Sequence, residues 1–127
     1  MRSPSRFVIR GDHVQVNALG CGTNLDAMTG PVRVVALVTT LPGRGAEQCA
    51  AFEALSPVVH AEEGCLQYDL HEVLGDPNRL AVIERWASAE ALSAHASSEH
   101  MRAFTETSAA FRDGQAEVLV LSDEPVA

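Results

Sequence analysis

Residues 64–86 read GCLQYDLHEVLGDPNRLAVIERW, and this stretch decides the fold because it has the pattern of one long β-hairpin. Two runs rich in β-branched, aromatic and aliphatic residues flank the connection Gly75-Asp76-Pro77-Asn78. Gly and Asn tolerate positive φ, and Pro77 presets a turn dihedral angle, so these four residues predict the turn. The hairpin also holds the only Tyr and the only Trp of the chain, which makes it a candidate carrier of the chemistry.

A buried strand and a helix are predicted before the hairpin. Residues 32–40 form a near-continuous apolar run, which is typical of a strand that is covered on both faces. From about residue 46 to residue 62, apolar residues recur at spacings of three and four, as on one face of a helix. Pro57 lies inside this helix and predicts a kink, and Gly64 predicts its end.

After the hairpin the pattern predicts an interrupted helix and a last strand. Ser88 is the expected N-cap, Ser97-Ser98 interrupts the helix, and Ser98 can cap a further segment from residue 99 to about 113. Residues 116–121 read as the last strand. The order β-α-β-β-α-β predicts an α+β, ferredoxin-like fold, with a four-stranded antiparallel sheet and both helices on one face.

The predicted sheet has one face that its helices do not cover. Nevertheless, three of the four strands carry apolar residues at odd and even positions alike. We therefore expect a second copy of the chain to bury the open face, which predicts a homodimer.

Length, charge and cysteine content restrict the class of protein. The chain has 127 residues and 46% hydrophobic residues, as expected for one soluble domain with its own core. The net charge of −8 argues against a nucleic acid or an anionic membrane as partner, and no apolar run is long enough to span a bilayer. The three cysteines lack metal-ligand spacing, so we expect reduced thiols and a cytoplasmic location.

Residues 1–31 differ in composition from residues 32–127, which form the predicted ferredoxin-like domain. Residues 6–10 and 13–16 could each make a short strand, and residues 17–31 read as a loop. Met28 resembles a protein start, so this segment is either a native extension or a leader ahead of a mis-assigned start. We expect it to be peripheral or partly disordered, and its removal to leave activity intact.

The chemical groups of the chain favour proton transfer. It has no nucleophile motif and no glycine-rich phosphate loop, whereas imidazoles, a phenol, an indole and the Glu84 carboxyl suit acid–base work on a small molecule in an apolar pocket. Strand alternation puts Tyr68 and His71 on opposite sides of their strand, although a β-bulge would change this. The helix break could bring His95 and His100 together, but no clear third ligand is present, and we predict no metal site.

Three segments resemble the antibiotic biosynthesis monooxygenase (ABM) family, including its quinol monooxygenase branch. They read EGCLQYDLH at residues 63–71, ERWAS at 84–88 and AHASSEHMRAF at 94–104, and the likeness extends over about residues 32–121. The resemblance implies a dimeric α/β-barrel built from two ferredoxin-like units, with a pocket between sheet and helices. It also implies monooxygenation of a small phenolic, quinol or polyketide-type aromatic with O2 and without a cofactor: the deprotonated substrate itself reduces O2.

The resemblance implies roles for seven residues. His71 would be the base or proton relay, and Tyr68 and Trp86 would orient the substrate ring, so these three form the catalytic set. The implied substrate-binding residues are Glu84, His95, His100 and Phe104. For Glu84 a structural ion pair with an Arg is the alternative, and we slightly prefer it.

Other activities within the same fold remain open. Haem-degrading members carry an Asn on the first strand, where this chain has Thr39-Thr40, so haem is disfavoured. One alternative is an isomerase of a small hydroxy-carbonyl compound, although the chain has no Lys for a phosphorylated substrate. Another is a non-catalytic dimeric module that binds a small molecule or serves a stress response.

Overall fold

The computed structural model of the protein describes residues 6–10, 13–18 and 30–127, the first two segments as backbone strands only. Six strands and three helices lie within these residues. In chain order they are β1 Arg6–Arg10, β2 His13–Ala18, β3 Val32–Thr39, α1 Gly45–His60, β4 Cys65–Val73, β5 Asp76–Trp86, α2 Ala89–Ala96, α3 Glu99–Ser108 and β6 Glu117–Ser122.

All neighbouring strands of the sheet are antiparallel, and their order is β2-β1-β6-β3-β5-β4. The last four strands in this order form the predicted ferredoxin-like unit, so the α+β fold class is confirmed. Both short strands expected near the N-terminus are present, and they extend the sheet beyond β6 through the pair Arg6↔Leu119. Most of the predicted loop, residues 19–29, lies outside the described residues.

The hairpin is confirmed, but its predicted turn is wrong. Val73 pairs with Asp76, so the connection is only Leu74-Gly75, and Pro77 and Asn78 belong to β5. Gly75 supplies the positive φ of 83° that so short a turn requires.

The hairpin side chains face the directions that strand alternation predicts. Tyr68 lies opposite Glu84, on the face that the helices cover, and His71 lies opposite Ala81, on the open face. Register shifts occur between Cys65 and Gln67 and at the turn, outside the stretch from Tyr68 to His71. The alternation of that stretch is therefore undisturbed.

The helices differ from the predicted ones mainly at their ends. Helix α1 continues to His60, three residues beyond Pro57, although Pro57 lacks the N–H that would otherwise donate to the Glu53 carbonyl. The break between α2 and α3 is confirmed, and the Ser98 hydroxyl accepts a hydrogen bond from the Met101 amide as the N-cap of α3. Helix α3 ends at Ser108, several residues earlier than expected.

Gly64 lets the hairpin and α2 pack closely. It has φ of 82°, and a Cβ at this position would lie 2.6 Å from the Ala91 Cβ atom of α2. Its carbonyl also accepts a hydrogen bond of 2.8 Å from the Ala87 amide. The end of α1, the start of β4 and the start of α2 are thereby held together.

The helix-covered face of the sheet forms the core, and the other face is open in the single chain. Side chains such as Val34 and Val82 on the covered face are almost fully buried. On the open face, Val35 lies between Ile83 and Leu119 of the neighbouring strands, and all three are only half-buried. This apolar row is the expected position of a partner subunit. Among the described helices, none is long and apolar enough to cross a membrane.

Candidate functional site

A cavity of about 710 Å³ lies between the sheet and the helices. This volume is within the range of pockets that bind small organic molecules. Most of its wall is apolar, with contributions from Val34, Ala36, Val38, Phe52, Val82, Leu92, Met101 and Phe104. Four of the polar or charged side chains in the wall are Tyr68, Glu84, His95 and Arg112.

Glu84 is a buried carboxyl group in the wall of this cavity, only 5% exposed. Trp86 lies two residues along the same strand, on the same face, and its indole N–H donates a 2.9 Å hydrogen bond to Glu84 Oε1. Burial raises the pKa of Glu84 to about 7; the Trp86 hydrogen bond opposes the rise and the charge of Glu62 adds to it. The carboxyl can therefore gain or lose a proton near neutral pH.

The expected ion pair between Glu84 and an Arg is wrong for the part of the chain that is described. Arg85 is next in sequence, but alternation turns it to the other face of the sheet, where it pairs with Asp123 at 2.8 Å. The partner of Glu84 is the Trp86 indole instead.

His95 is a buried imidazole that is oriented by a carboxylate. Its Nδ1 lies 2.7 Å from Glu62 Oε2, and its ring lies against the Trp86 indole, with centroids 4.5 Å apart. Since the carboxylate accepts, Nδ1 carries the proton and Nε2 is the basic atom of the neutral ring. Burial lowers the pKa of His95, and this effect exceeds the opposing effect of Glu62. The ring is therefore neutral at neutral pH.

Tyr68 completes the polar end of the cavity. Its side chain is buried, and its ring lies 5.7 Å from that of His95, in an edge-on arrangement. Burial, together with the charges of Glu84 and Glu62, raises the pKa of Tyr68. The phenol therefore stays protonated at neutral pH and can donate a hydrogen bond to an oxygen atom of a ligand.

His100 joins the same group through Glu62. Its Nε2 lies 3.3 Å from Glu62 Oε2 and 3.1 Å from the Ser98 hydroxyl. One ligand atom each from Glu62, His95 and His100 lie within 4.8 Å of one another, so these three residues could hold a metal ion. The expectation that no third ligand accompanies the two histidines is therefore wrong, because Glu62 supplies a carboxylate.

Phe104 forms the helical wall, as predicted. Its ring packs on Phe52 with centroids 4.8 Å apart, and the Arg112 guanidinium lies 5.3 Å from the centre of the same ring. These contacts orient the Phe104 ring and place the Arg112 guanidinium beside the cavity.

The structure does not bring His71 to the cavity. This residue is exposed on the open face of the sheet, whereas Tyr68 lies on the covered face. The other predicted residues do come together. Tyr68, Glu84, His95 and Phe104 line the cavity, Trp86 lies behind Glu84 and His95, and His100 contacts Glu62.

Glu62 and Arg112 are site residues that sequence reasoning missed. Glu62 lies between α1 and the hairpin, in a run of acids that has no distinguishing local pattern. Arg112 was predicted to lie within a helix, whereas the chain turns back after Ser108 and the Arg112 side chain reaches the cavity. An isolated arginine between Phe111 and Asp113 was the only available signal, and it is weak.

Comparison with known proteins agrees with the geometry. Residues 31–107 match the model of the family described as Antibiotic biosynthesis monooxygenase. The chain is 37% identical over 73 residues to the "Putative monooxygenase Rv0793" of Mycobacterium tuberculosis, which covers 58% of this chain and 71% of that protein. It is 41% identical over 54 residues to the "Putative monooxygenase YcnE" of Bacillus subtilis, covering 41% of this chain and 57% of that protein.

Solved structures show the same fold. The protein PA3566 of Pseudomonas aeruginosa superposes with a TM-score of 0.70 at 31% identity, over 77% of this chain and 98% of that one. A Caulobacter crescentus protein, described as a putative antibiotic biosynthesis monooxygenase, superposes with a TM-score of 0.71 at 26% identity, over 76% of this chain and 92% of that one.

Proposed function

The chain belongs to the antibiotic biosynthesis monooxygenase family, and we propose that it is a cofactor-independent monooxygenase that oxidises a small phenolic, quinol or polyketide-type aromatic with O2. The observation that carries this proposal is one apolar cavity containing both a neutral, carboxylate-oriented His95 and a buried Glu84 with a pKa of about 7. An apolar cavity suits an aromatic ring, and the two titratable groups suit proton transfer at neutral pH.

His95 is the base in this proposal, in place of the exposed His71. Nδ1 of His95 is engaged by Glu62, so the ring takes up the substrate proton at Nε2. The Glu62 carboxylate then stabilises the imidazolium that forms. Because burial lowers the pKa of His95, the ring is in its basic form before the substrate binds.

The substrate itself supplies the electrons for O2. Loss of a proton gives an electron-rich anion, which reduces O2 as a new carbon–oxygen bond forms. Loss of a second proton from the same carbon then breaks the O–O bond. For a CH2 group the balance is R2CH2 + O2 → R2C=O + H2O: one oxygen atom enters the carbonyl, the other leaves as water, and no external reductant is needed.

Glu84 and Tyr68 provide the remaining protons and hydrogen bonds. With a pKa of about 7, Glu84 can give a proton to the departing oxygen and recover it from the substrate. Tyr68 keeps its proton and can donate a hydrogen bond to a substrate oxygen, which fixes the ring. The buried, apolar surroundings strengthen these interactions because water is excluded.

We also propose that the active form is a homodimer. Its interface is the open face of the sheet, where Val35, Ile83 and Leu119 form a half-buried apolar row. His71 would then lie at or near this interface, where it would contribute to subunit contacts and not to catalysis.

The test compares His95→Gln with His71→Gln and with Arg102→Gln, an exposed residue of α3, by O2 uptake with anthrone and dihydroxynaphthalene substrates. Since general bases contribute at least about 100-fold to rates, we expect His95→Gln to lose about two orders of magnitude in kcat. His71→Gln should lose far less, and Arg102→Gln should match the wild type. Equal losses in the two histidine variants, or turnover of a substrate without O2, would contradict the proposal.

A further inference from the structure

The backbone of Arg112 lies beyond the end of β3, whereas that of Glu84 lies beside the start of the same strand. Arg112 pairs with Thr40, just beyond the end of β3, whereas Glu84 pairs with Val34 near the start of that strand. Val34 and Thr40 are six residues apart, which is about 20 Å along a strand. The half-buried guanidinium reaches back from this end into the cavity wall.

The Arg112 side chain is held in position by a buried network. Nε donates a 3.2 Å hydrogen bond to Gln48 Oε1, and the Gln48 amide donates one of 3.4 Å to the Ser108 hydroxyl. Gln48 and Ser108 are both completely buried. The guanidinium also lies 5.3 Å from the centre of the Phe104 ring, so its plane and its position are both constrained.

Among residues 30–127, no carboxylate forms a described ion pair with this guanidinium. Arg33, Arg44, Arg85 and Arg102 each pair with an Asp or Glu at the surface. The described contacts of the guanidinium are the Nε hydrogen bond to Gln48 and the Phe104 ring, so its terminal nitrogens are the atoms that a ligand can reach. Leaving a half-buried cation unpaired is unfavourable, so a preformed arrangement of this kind indicates a role in binding.

We propose that Arg112 binds an oxyanion of the substrate, so that the ligand of this cavity is an aromatic acid with a carboxylate at the end remote from Glu84. This rests on the proposed function for the aromatic body of the substrate. A guanidinium with Nε engaged still presents the two terminal N–H groups that a planar carboxylate accepts.

Charge elsewhere in the chain makes a local cation necessary for such a ligand. The net charge is −8, so the protein as a whole repels an anion. The other end of the cavity holds Glu84, whose ionised form would also repel it. Arg112 therefore fixes which end of the substrate faces the His95 base, and this selects the carbon that is oxidised.

The test uses two ligands that differ only in charge, a hydroxynaphthoic acid and its methyl ester, titrated calorimetrically into the full chain without turnover. We expect Arg112→Gln to raise the Kd of the acid about 10- to 100-fold, since hydrogen bonds to charged groups contribute about 1.5–3 kcal/mol. The Kd of the ester should change less than about threefold. Arg102→Gln, which removes an exposed arginine of α3, should leave both Kd values unchanged.

Ester binding also controls for folding, because a damaged cavity would lose both ligands. Equal weakening of acid and ester, an unchanged Kd for the acid, or failure of the acid to bind the wild type would each overturn the role of Arg112. The proposed function fails separately. Arg112-dependent binding of the acid without any oxidation would refute the monooxygenase and leave the anion site standing. Oxidation of neutral aromatics by a protein that binds the acid equally well with and without Arg112 would do the reverse.

Discussion

Replacement of Glu84 by Gln should change how the stability of the protein depends on pH. Glu84 is buried with its carboxyl hydrogen-bonded to the Trp86 indole, and burial raises its pKa from an ordinary 4.5 to about 7. Gln has nearly the same shape and keeps an oxygen that can accept from the indole. The substitution therefore removes the titration while it preserves the packing.

The sign follows from proton binding in the two states. Between about pH 4.5 and 7 the unfolded chain has released the Glu84 proton while the folded chain still holds it. Glu84 thus makes its full contribution to the free energy of unfolding below pH 4.5, and this contribution is lost as the pH rises to about 7. The pKa difference corresponds to about 3 kcal/mol, so E84Q should be more stable than the wild type by about that amount at pH 8 and by almost nothing near pH 4.5.

His95 changes the pH dependence of stability in the opposite direction to Glu84. The quantity to measure is therefore the difference in stability between wild type and E84Q. Burial lowers the pKa of His95, so its contribution falls as the pH drops through the range in which the unfolded histidine takes up a proton. Both proteins retain His95, so the difference between wild type and E84Q reports mainly on Glu84. An exposed carboxyl on α1 gives the control, since Glu53→Gln should change stability by less than about 0.5 kcal/mol at any pH.

The assay is urea denaturation of both proteins at a series of pH values from 4.5 to 8. We expect the free-energy difference to grow with pH and to level off above about pH 7. A difference that stays constant across this range would refute the raised pKa of Glu84. A wild type that is the more stable protein at pH 8 would show that the carboxylate has a stabilising partner, and that the proton-transfer role is misassigned.

Two further predictions concern the surface and the turns. Val35→Asp places a charge in the centre of the open apolar row, so light scattering should show a monomer where the wild type is a dimer; a dimer in both proteins would put the interface elsewhere. Gly64→Ala and Gly75→Ala both force alanine into positive φ, at about 1–2 kcal/mol, but only at Gly64 does the new Cβ clash, 2.6 Å from Ala91. Urea denaturation should therefore show a clearly larger loss for Gly64→Ala, and equal losses would mean that α2 shifts freely.

Local patterns predicted the fold because the local and tertiary signals agree. One structural interpretation dominates for each of three segments: the hairpin at residues 64–86, the apolar strand at residues 32–40 and the serine cap at Ser98. The order of the predicted elements is then compatible with few sheet topologies. The turn was mispredicted because Pro77 and Asn78 are typical turn residues, while Gly75 alone was sufficient for the tighter connection.

Two signals in the sequence indicated part of the site: the alternation of side chains along the strands, and the presence of the only Tyr and the only Trp in the hairpin. Tyr68, Trp86 and Glu84 share a face because of strand parity, and the same parity separates His71 from them. Glu62 and Arg112 could not be found, because they reach the site through the ends of α1 and α3, and helix ends are poorly defined by sequence. Arg112 also lies far along the chain from Tyr68 and Glu84, and Glu62 lies 33 residues from His95, the ring that it orients.

The most direct test of the central proposal is the fate of labelled oxygen. Protein freed of metal with a chelator, and without added flavin or haem, is incubated under ¹⁸O2 with an anthrone or quinol substrate, and product and water are analysed by mass spectrometry. We expect one ¹⁸O atom in each product molecule and the other in water. In His95→Gln, the formation of both labelled product and labelled water should be strongly reduced. Product that forms without O2, that lacks ¹⁸O, or that forms only after a metal or flavin is restored would contradict cofactor-independent monooxygenation in this cavity.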